Sequence, residues 1–370
     1  LQWLDDVEEY GFEEFLSTVY MCVTFAALIN VVDYSEPEIS KRAAAVTDKM
    51  LSMLALHTYK TGIVAPMGRV YRSVLYPFDQ GAMALMNLIN PKLPYTFGEG
   101  WLGFYASSHY PIPEGLVKLM EDDVETNYTT GNARVYLEKN DDYCLTSVAS
   151  PREPFTRWEN ETLKEDVDIT THNFTKSFNE RFHGTTYFRP GTYGYQQHMW
   201  YAALDGEASI FVTHPGSTSE EGDMRPGYWH GNGVMPALKQ QHGLLGGIYV
   251  IPDEHPIGYT HLYCPECRFD EVIHEENWIF LRKETGYLAL WCSEKLEAHN
   301  GMNFNCEQRA YSKNAAYLCV CGGKKSDVSF ATFKKRAKET SPSYDKESKT
   351  LTAQEFKLSY AACEDVTQFL

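Results

Sequence analysis

The chain has 370 residues, 43% hydrophobic and 14% aromatic, enough for two domains with their own cores; this excludes a disordered chain. Its formal charge of −17, from 50 acidic against 33 basic residues, leaves one modest basic run, Lys334 to Lys338, so nucleic acid is not expected as a partner. The most apolar run, Val19 to Val32, is broken by Thr24 and Asn30 and is too short for a bilayer, so no membrane partner is expected either.

The first third reads as helical. Phe12 to Val32 is apolar nearly all round, as in a helix enclosed by others. Ser35-Glu-Pro-Glu38 has the form of a capping box, and Ile39, Ala43, Val46, Met50, Met53 and His57 then recur at helical spacing, so a helix is expected over 36–58 with His57 ending its buried stripe. Further helices are expected near 78–90 and 112–122, with Pro and Gly breakers between them. Helices paired in this way suggest an array or toroid.

From about residue 130 the texture changes to short runs rich in Val, Ile, Tyr and Phe. These are 133–137, 208–214, 246–251, 277–292, 315–321 and 328–333, with a hairpin signal at the "RKETG" between two alternating runs. The polar stretch 338–349 reads as a solvated loop. The fold class expected is α+β and multidomain, with part of an (α/α) helical toroid over 1–128 followed by an antiparallel β-sandwich over 129–370.

One stretch within the sheet-forming part carries a more specific signal. In "GYQQHMWYAALDGEASIFVTHPG", Gly194 to Gly216, a strand pair has Gln196 and His198 before one arm and His214 after the other. With the helical and sheet layout, this resembles the heparinase II/III-like polysaccharide lyases, in which a Gly-His-x-His segment opens a strand and an Asp-x-Gly closes its partner. The chain is also similar to uncharacterised bacterial members of that family. Gln196 takes the place of the first histidine, His198 the second and His214 the aspartate, so the match is partial. The resemblance implies a structural zinc held by His198, His214 and a third ligand, either His230 or His242.

It also implies a lyase that cleaves uronic-acid-containing polysaccharides or oligosaccharides by β-elimination. Such an enzyme neutralises the substrate carboxylate, removes the C5 proton and protonates the leaving oxygen. The loop 57–72, with His57, Arg69 and Tyr71, and the later "SSHYP", with His109 and Tyr110, offer the residues for this. Arg69 and Arg72 can form a positive pocket for an anionic polymer. Gln196 and Tyr195 can reach the same cleft from the sheet side. Tyr228 and Trp229, in a Gly-rich aromatic loop, suit either sugar stacking or packing against the sandwich. Two alternatives stand beside the lyase. One is a glycoside hydrolase, with Asp79, Glu99 and Glu114 as candidate carboxylates, and the other a non-catalytic glycan-binding protein.

The remaining signals are weak. Nine cysteines do not make a disulfide framework, and the CxxC at Cys264 and Cys267 has no second copy, leaving a zinc knuckle or free thiols. No GxSxG, HExxH or Rossmann glycine pattern occurs, so no nucleotide or organic cofactor is expected. Sequons at Asn127, Asn160 and Asn173 do not establish secretion. The chain opens without a leader on what reads as folded sequence, which leaves the compartment open between a bacterial cytoplasm and a secreted or periplasmic location; oligomeric state is likewise unread.

Overall fold

The computed structural model describes residues 2–12, 14–71, 75, 81–96, 101–131, 133–149, 196–216, 228–229, 231–253, 255–300 and 306–360. Within these the chain is a mixed α+β protein with antiparallel sheets. Helices come first: α1 Gln2–Tyr10, α2 Tyr20–Tyr34, α3 Pro37–Leu56, α4 Gly81–Ile89, α5 Trp101–Ser107 and α6 Leu116–Glu121. A two-stranded hairpin, β1 Thr58–Tyr59 and β2 Gly62–Ile63, follows α3. None of the helices is long and apolar enough to cross a membrane.

The helix over 36–58 forms nearly as read, but the capping box does not. Ser35 ends α2 by giving its backbone N–H to Val31 O, and α3 starts on Glu36 with Pro37 in its first turn and no side-chain cap. The apolar run from Phe12 is helical only from Tyr20. Gly11 takes φ +84 and Leu16 φ 53, so the described residues 11–12 and 14–19 turn through left-handed kinks outside any helix. Burial of Phe12, Phe15 and Leu16 explains why that loop reads like helix: its apolar residues fill the core without a helical period.

The first long strand, β3, spans Val124–Thr130. It forms the edge of an eight-stranded sheet in the order β14, β15, β10, β7, β6, β5, β4, β3. Its other strands are β4 Ala133–Lys139, β5 Cys144–Ala149, β6 Trp200–Ala203, β7 Ser209–Thr213, β10 Thr260–Tyr263, β14 Leu296–His299 and β15 Glu307–Ala310. A six-stranded sheet runs β11, β12, β13, β16, β9, β8, with β8 Ala237–Gln241, β9 Leu244–Val250, β11 Glu271–Glu275, β12 Trp278–Lys283, β13 Gly286–Cys292 and β16 Asn314–Gly323. Leu145, Ile210 and Val212 of the first sheet share one buried cluster with Leu245, Leu288 and Tyr317 of the second.

The outer face of the six-stranded sheet, including Ile248, Phe280 and Val320, is covered by α8 Phe330–Glu339, which follows the single turn α7 Lys324–Asp327. It is also covered by a small sheet of β17 Ser343–Asp345, β18 Thr350–Ala353 and β19 Phe356–Ser359. Two expectations are corrected here. The run 328–333 is not a strand: Ser329 caps a helix by accepting the N–H of Thr332, and Phe330, Phe333 and Ala337 form that helix's buried face. Part of the polar stretch 338–349 is also not loop but β17. The other outer face, with Leu137, Tyr201, Phe211 and Tyr263, is covered by Tyr59, Val64, Met67 and Val70 from the segment after α3. That cover carries the helical part of the chain onto the sheet.

Candidate functional site

Three backbone segments meet where this cover reaches the chain leading into β6. Gly68 N–H donates to Phe15 O (2.8 Å), Val70 N–H to Gln196 O (2.9 Å), and Met67 and His198 exchange both backbone bonds (2.9 and 3.2 Å). The loop before α2, the loop after α3 and the approach to β6 are therefore fixed side by side. Their side chains form one polar cluster. Arg69 Nε donates to Glu14 Oε1 (2.8 Å) and Arg69 Nη1 to Gln196 Oε1 (2.6 Å). Gln196 Nε2 reaches back to Val70 O (3.3 Å), so its amide orientation is set by the backbone. The Tyr20 and Tyr71 hydroxyls are 2.6 Å apart, and the Arg69 guanidinium carbon is 6.0 Å from the Tyr20 ring centroid. Burial, and then the bond to Tyr71, push the Tyr20 phenol up to about 12. At neutral pH Tyr20 therefore keeps its proton.

Of the residues read from sequence, Arg69, Tyr71 and Gln196 are thus brought together from positions far apart in the chain. Glu14 and Tyr20 were not foreseen. Tyr20 lies in a run read as buried helix, and Glu14 carries no motif at all; only the loop's tie to Gly68 shows why they belong.

Other candidates are placed elsewhere. His57 caps α3 from within the core, fully buried, with Nδ1 at Val64 O (3.0 Å) and Nε2 at Tyr128 Oη (3.0 Å). Burial pulls its imidazole down to about 3, so it is a neutral packing residue rather than part of a cleft. Tyr110 is buried against Phe25 and donates to Asp48. His109 is almost wholly exposed and its backbone N–H is held by Asp33 Oδ1 (2.9 Å). Glu114 is exposed. Tyr195, His230, Asp79 and Glu99 lie outside the described residues.

The histidines read as metal ligands do not converge. Continuing the β6–β7 register, in which Ala202 faces Ile210, would set His198 opposite His214, but the strand ends part. His198 engages the Tyr201 hydroxyl and Trp229 O (2.7 Å), while His214 Nε2 engages Ile257 O (3.0 Å). His242 is on the far hairpin between β8 and β9. With His242 at φ 45 and Gly243 at φ 70 it forms a type I′ turn, exposed, and Nδ1 pairs with Glu125 (3.2 Å). The ring that does approach His214 is that of His255, buried, at 4.6 Å between centroids. Sequence offered His255 no distinguishing pattern. His214 Nδ1 is buried with no hydrogen-bond partner among the described residues, and a Cβ at Gly233 would come within 2.6 Å of it, so glycine is required there. His198, His214 and His242 therefore do not face one common point, and His255 is the ring set beside His214. Among the described residues no three His, Cys, Asp or Glu side chains are arranged around one metal position.

Tyr228 and Trp229 are buried in the sheet cover. Trp229 stacks on His261 at 4.1 Å and 9°, and Tyr228 bonds Glu307 and Arg309. Their rings are occupied by packing rather than presented to a ligand. Cys264 is buried and Cys267 exposed beside a 3-10 turn at Glu266–Arg268, both as free thiols.

Comparison with protein-family models finds no matching family, and comparison with curated proteins finds no matching relative.

Proposed function

We propose that the Arg69 cluster is the carboxylate-binding and acid/base site of a polysaccharide lyase acting on uronic-acid-containing glycans. The observation that supports this most is the 2.6 Å bond from Arg69 Nη1 to Gln196 Oε1, which joins the helical and sheet-borne parts beside a paired tyrosine hydroxyl. Arg69 and the Gln196 amide neutralise the substrate carboxylate, so the negative charge that develops when C5 loses its proton spreads onto a group already hydrogen-bonded to a cation. Tyr71, having given its own phenolic proton to solvent, takes the C5 proton as tyrosinate. The C4–O bond then breaks, a C4 to C5 double bond forms, and the same phenol returns a proton to the leaving oxygen. Tyr20, which keeps its own proton, donates to the Tyr71 oxygen and steadies it between the two transfers.

The helical part belongs in this reading as a portion of a toroid over the sandwich, the layout implied by the resemblance to heparinase II/III-like lyases. A structural zinc would take His214 and His255 as two of its ligands and would brace the loops on which they sit. Hydrolysis needs two carboxylates flanking the bond, whereas Glu14, the carboxylate in the described cluster, is engaged by Arg69. That favours elimination over hydrolysis.

The test is incubation of the purified protein with a panel of uronate polymers, read as near-ultraviolet absorbance and as reducing ends. Growth of both supports elimination. Reducing ends without absorbance mean hydrolysis, and tight binding without either product means a glycan-binding protein.

A further inference from the structure

We infer that Glu14 is the specificity-determining residue of this cluster: an internal carboxylate that an incoming uronate carboxylate displaces from Arg69. The inference rests on the reading of the cluster as a carboxylate site and adds how that site chooses its ligand. Arg69 is already bound by a carboxylate, through Nε to Glu14 Oε1 at 2.8 Å. The three members of this contact are not equally held. The Gln196 side chain is fixed by Val70 O and the residue is 3% exposed, and the Arg69 side chain is 14% exposed, but that of Glu14 is 31% exposed.

Glu14 also sits in the turn at 14–16 rather than in a helix or strand. Its neighbours Phe15 and Leu16 are fully buried, and Phe15 O accepts the N–H of Gly68. The backbone is therefore anchored while the Glu14 side chain is free to swing into solvent. Glu14 is the more exposed partner of the pair, so the pair opens from its side. Opening it vacates the place of Glu14 at Arg69 Nε, where a second carboxylate can accept instead. A uronate carboxylate replaces Glu14 charge for charge; a neutral sugar offers no such compensation and leaves Glu14 in place. The cluster so discriminates by exchange, without needing a second contact to reject neutral glycans.

The test is titration of sodium D-glucuronate and of D-glucose into wild type, Glu14→Gln and Glu14→Ala, followed by NMR. Removing the internal competitor tightens glucuronate binding by about fivefold in both variants. Wild type does not bind glucose. In wild type the Glu14 side-chain carboxylate resonance shifts as glucuronate saturates the protein. Glucuronate binding that both variants leave unchanged or weaken, or an unshifted Glu14 resonance at saturation, overturns the exchange while the carboxylate site stands. No glucuronate binding to any of the three proteins overturns both.

Discussion

Two arginines of this protein sit among the same residue types and end in different roles. Arg309 and Arg69 each bind a glutamate and lie beside a tyrosine. Around Arg309 the network closes: Glu307 Oε1 accepts from Arg309 Nε (2.7 Å), lies 3.2 Å from His261 Nδ1 and is bonded by the Tyr228 hydroxyl, with the Glu307 side chain only 3% exposed. Burial would raise the Glu307 carboxyl, but hydrogen bonds from His261, Arg309 and Tyr228 outweigh it and hold the group at about 2. Around Arg69 the partners come from three separate segments, and one of them, Glu14, remains partly open to solvent with its side chain 31% exposed. Closure makes the first a structural tie, and openness leaves the second able to exchange a partner. Residue type alone does not distinguish them.

That contrast can be broken in two ways. The largest effect is expected at the open cluster. Tyr71→Phe keeps the ring but removes the hydroxyl, so turnover of a susceptible uronate polymer falls by roughly a thousandfold while the urea midpoint hardly moves. A loss of both together would make Tyr71 structural. At the closed cluster the expectation reverses. Arg309→Met leaves Glu307 buried without its cation and lowers unfolding free energy by about 3 kcal/mol in urea titrations, whereas Arg69→Met lowers it by no more than about 1 kcal/mol. Equal losses would erase the distinction.

The smallest effect concerns His57, a buried polar group of neither cluster. Its folded value of about 3 lies below the ordinary 6.5, so the unfolded chain binds the extra proton first. The stability it contributes is fully present above pH 6.5 and is lost as pH falls toward 3. At pH 5 the loss attributable to His57 is about 2 kcal/mol, and His57→Gln removes that part of the pH dependence in urea unfolding measured at pH 7 and pH 5.

Much of the architecture was legible because periodicity follows burial. The stripe from Ile39 to Met53 became α3, and alternation flanking "RKETG" became the β12–β13 hairpin, with Glu284 at φ 50 in its turn. Periodicity failed where apolar residues are buried for another reason. Phe12 to Leu16 pack as a kinked loop, and Phe330 and Phe333 follow a capping serine into a helix. Within the candidate site, Arg69 and Gln196 could be suspected from residue chemistry, but nothing local pairs them. His57 misled because a histidine that ends a buried stripe looks the same whether it faces a cleft or a carbonyl. His214 drew attention as half of a flanking pair, yet its near neighbour is His255, set by the loop after β9 rather than by any spacing in the chain.

The bonds at Arg69 span 55 residues to Glu14 and 127 to Gln196. Contacts that distant close late, after the entropy of the intervening chain has been lost. A chain emerging from the ribosome therefore carries a complete helical half, with Arg69 and Tyr71 already in it, well before it carries a site. The Arg69 cluster is assembled only when the approach to β6 docks on the loop after α3, so its formation reports that one long-range docking event.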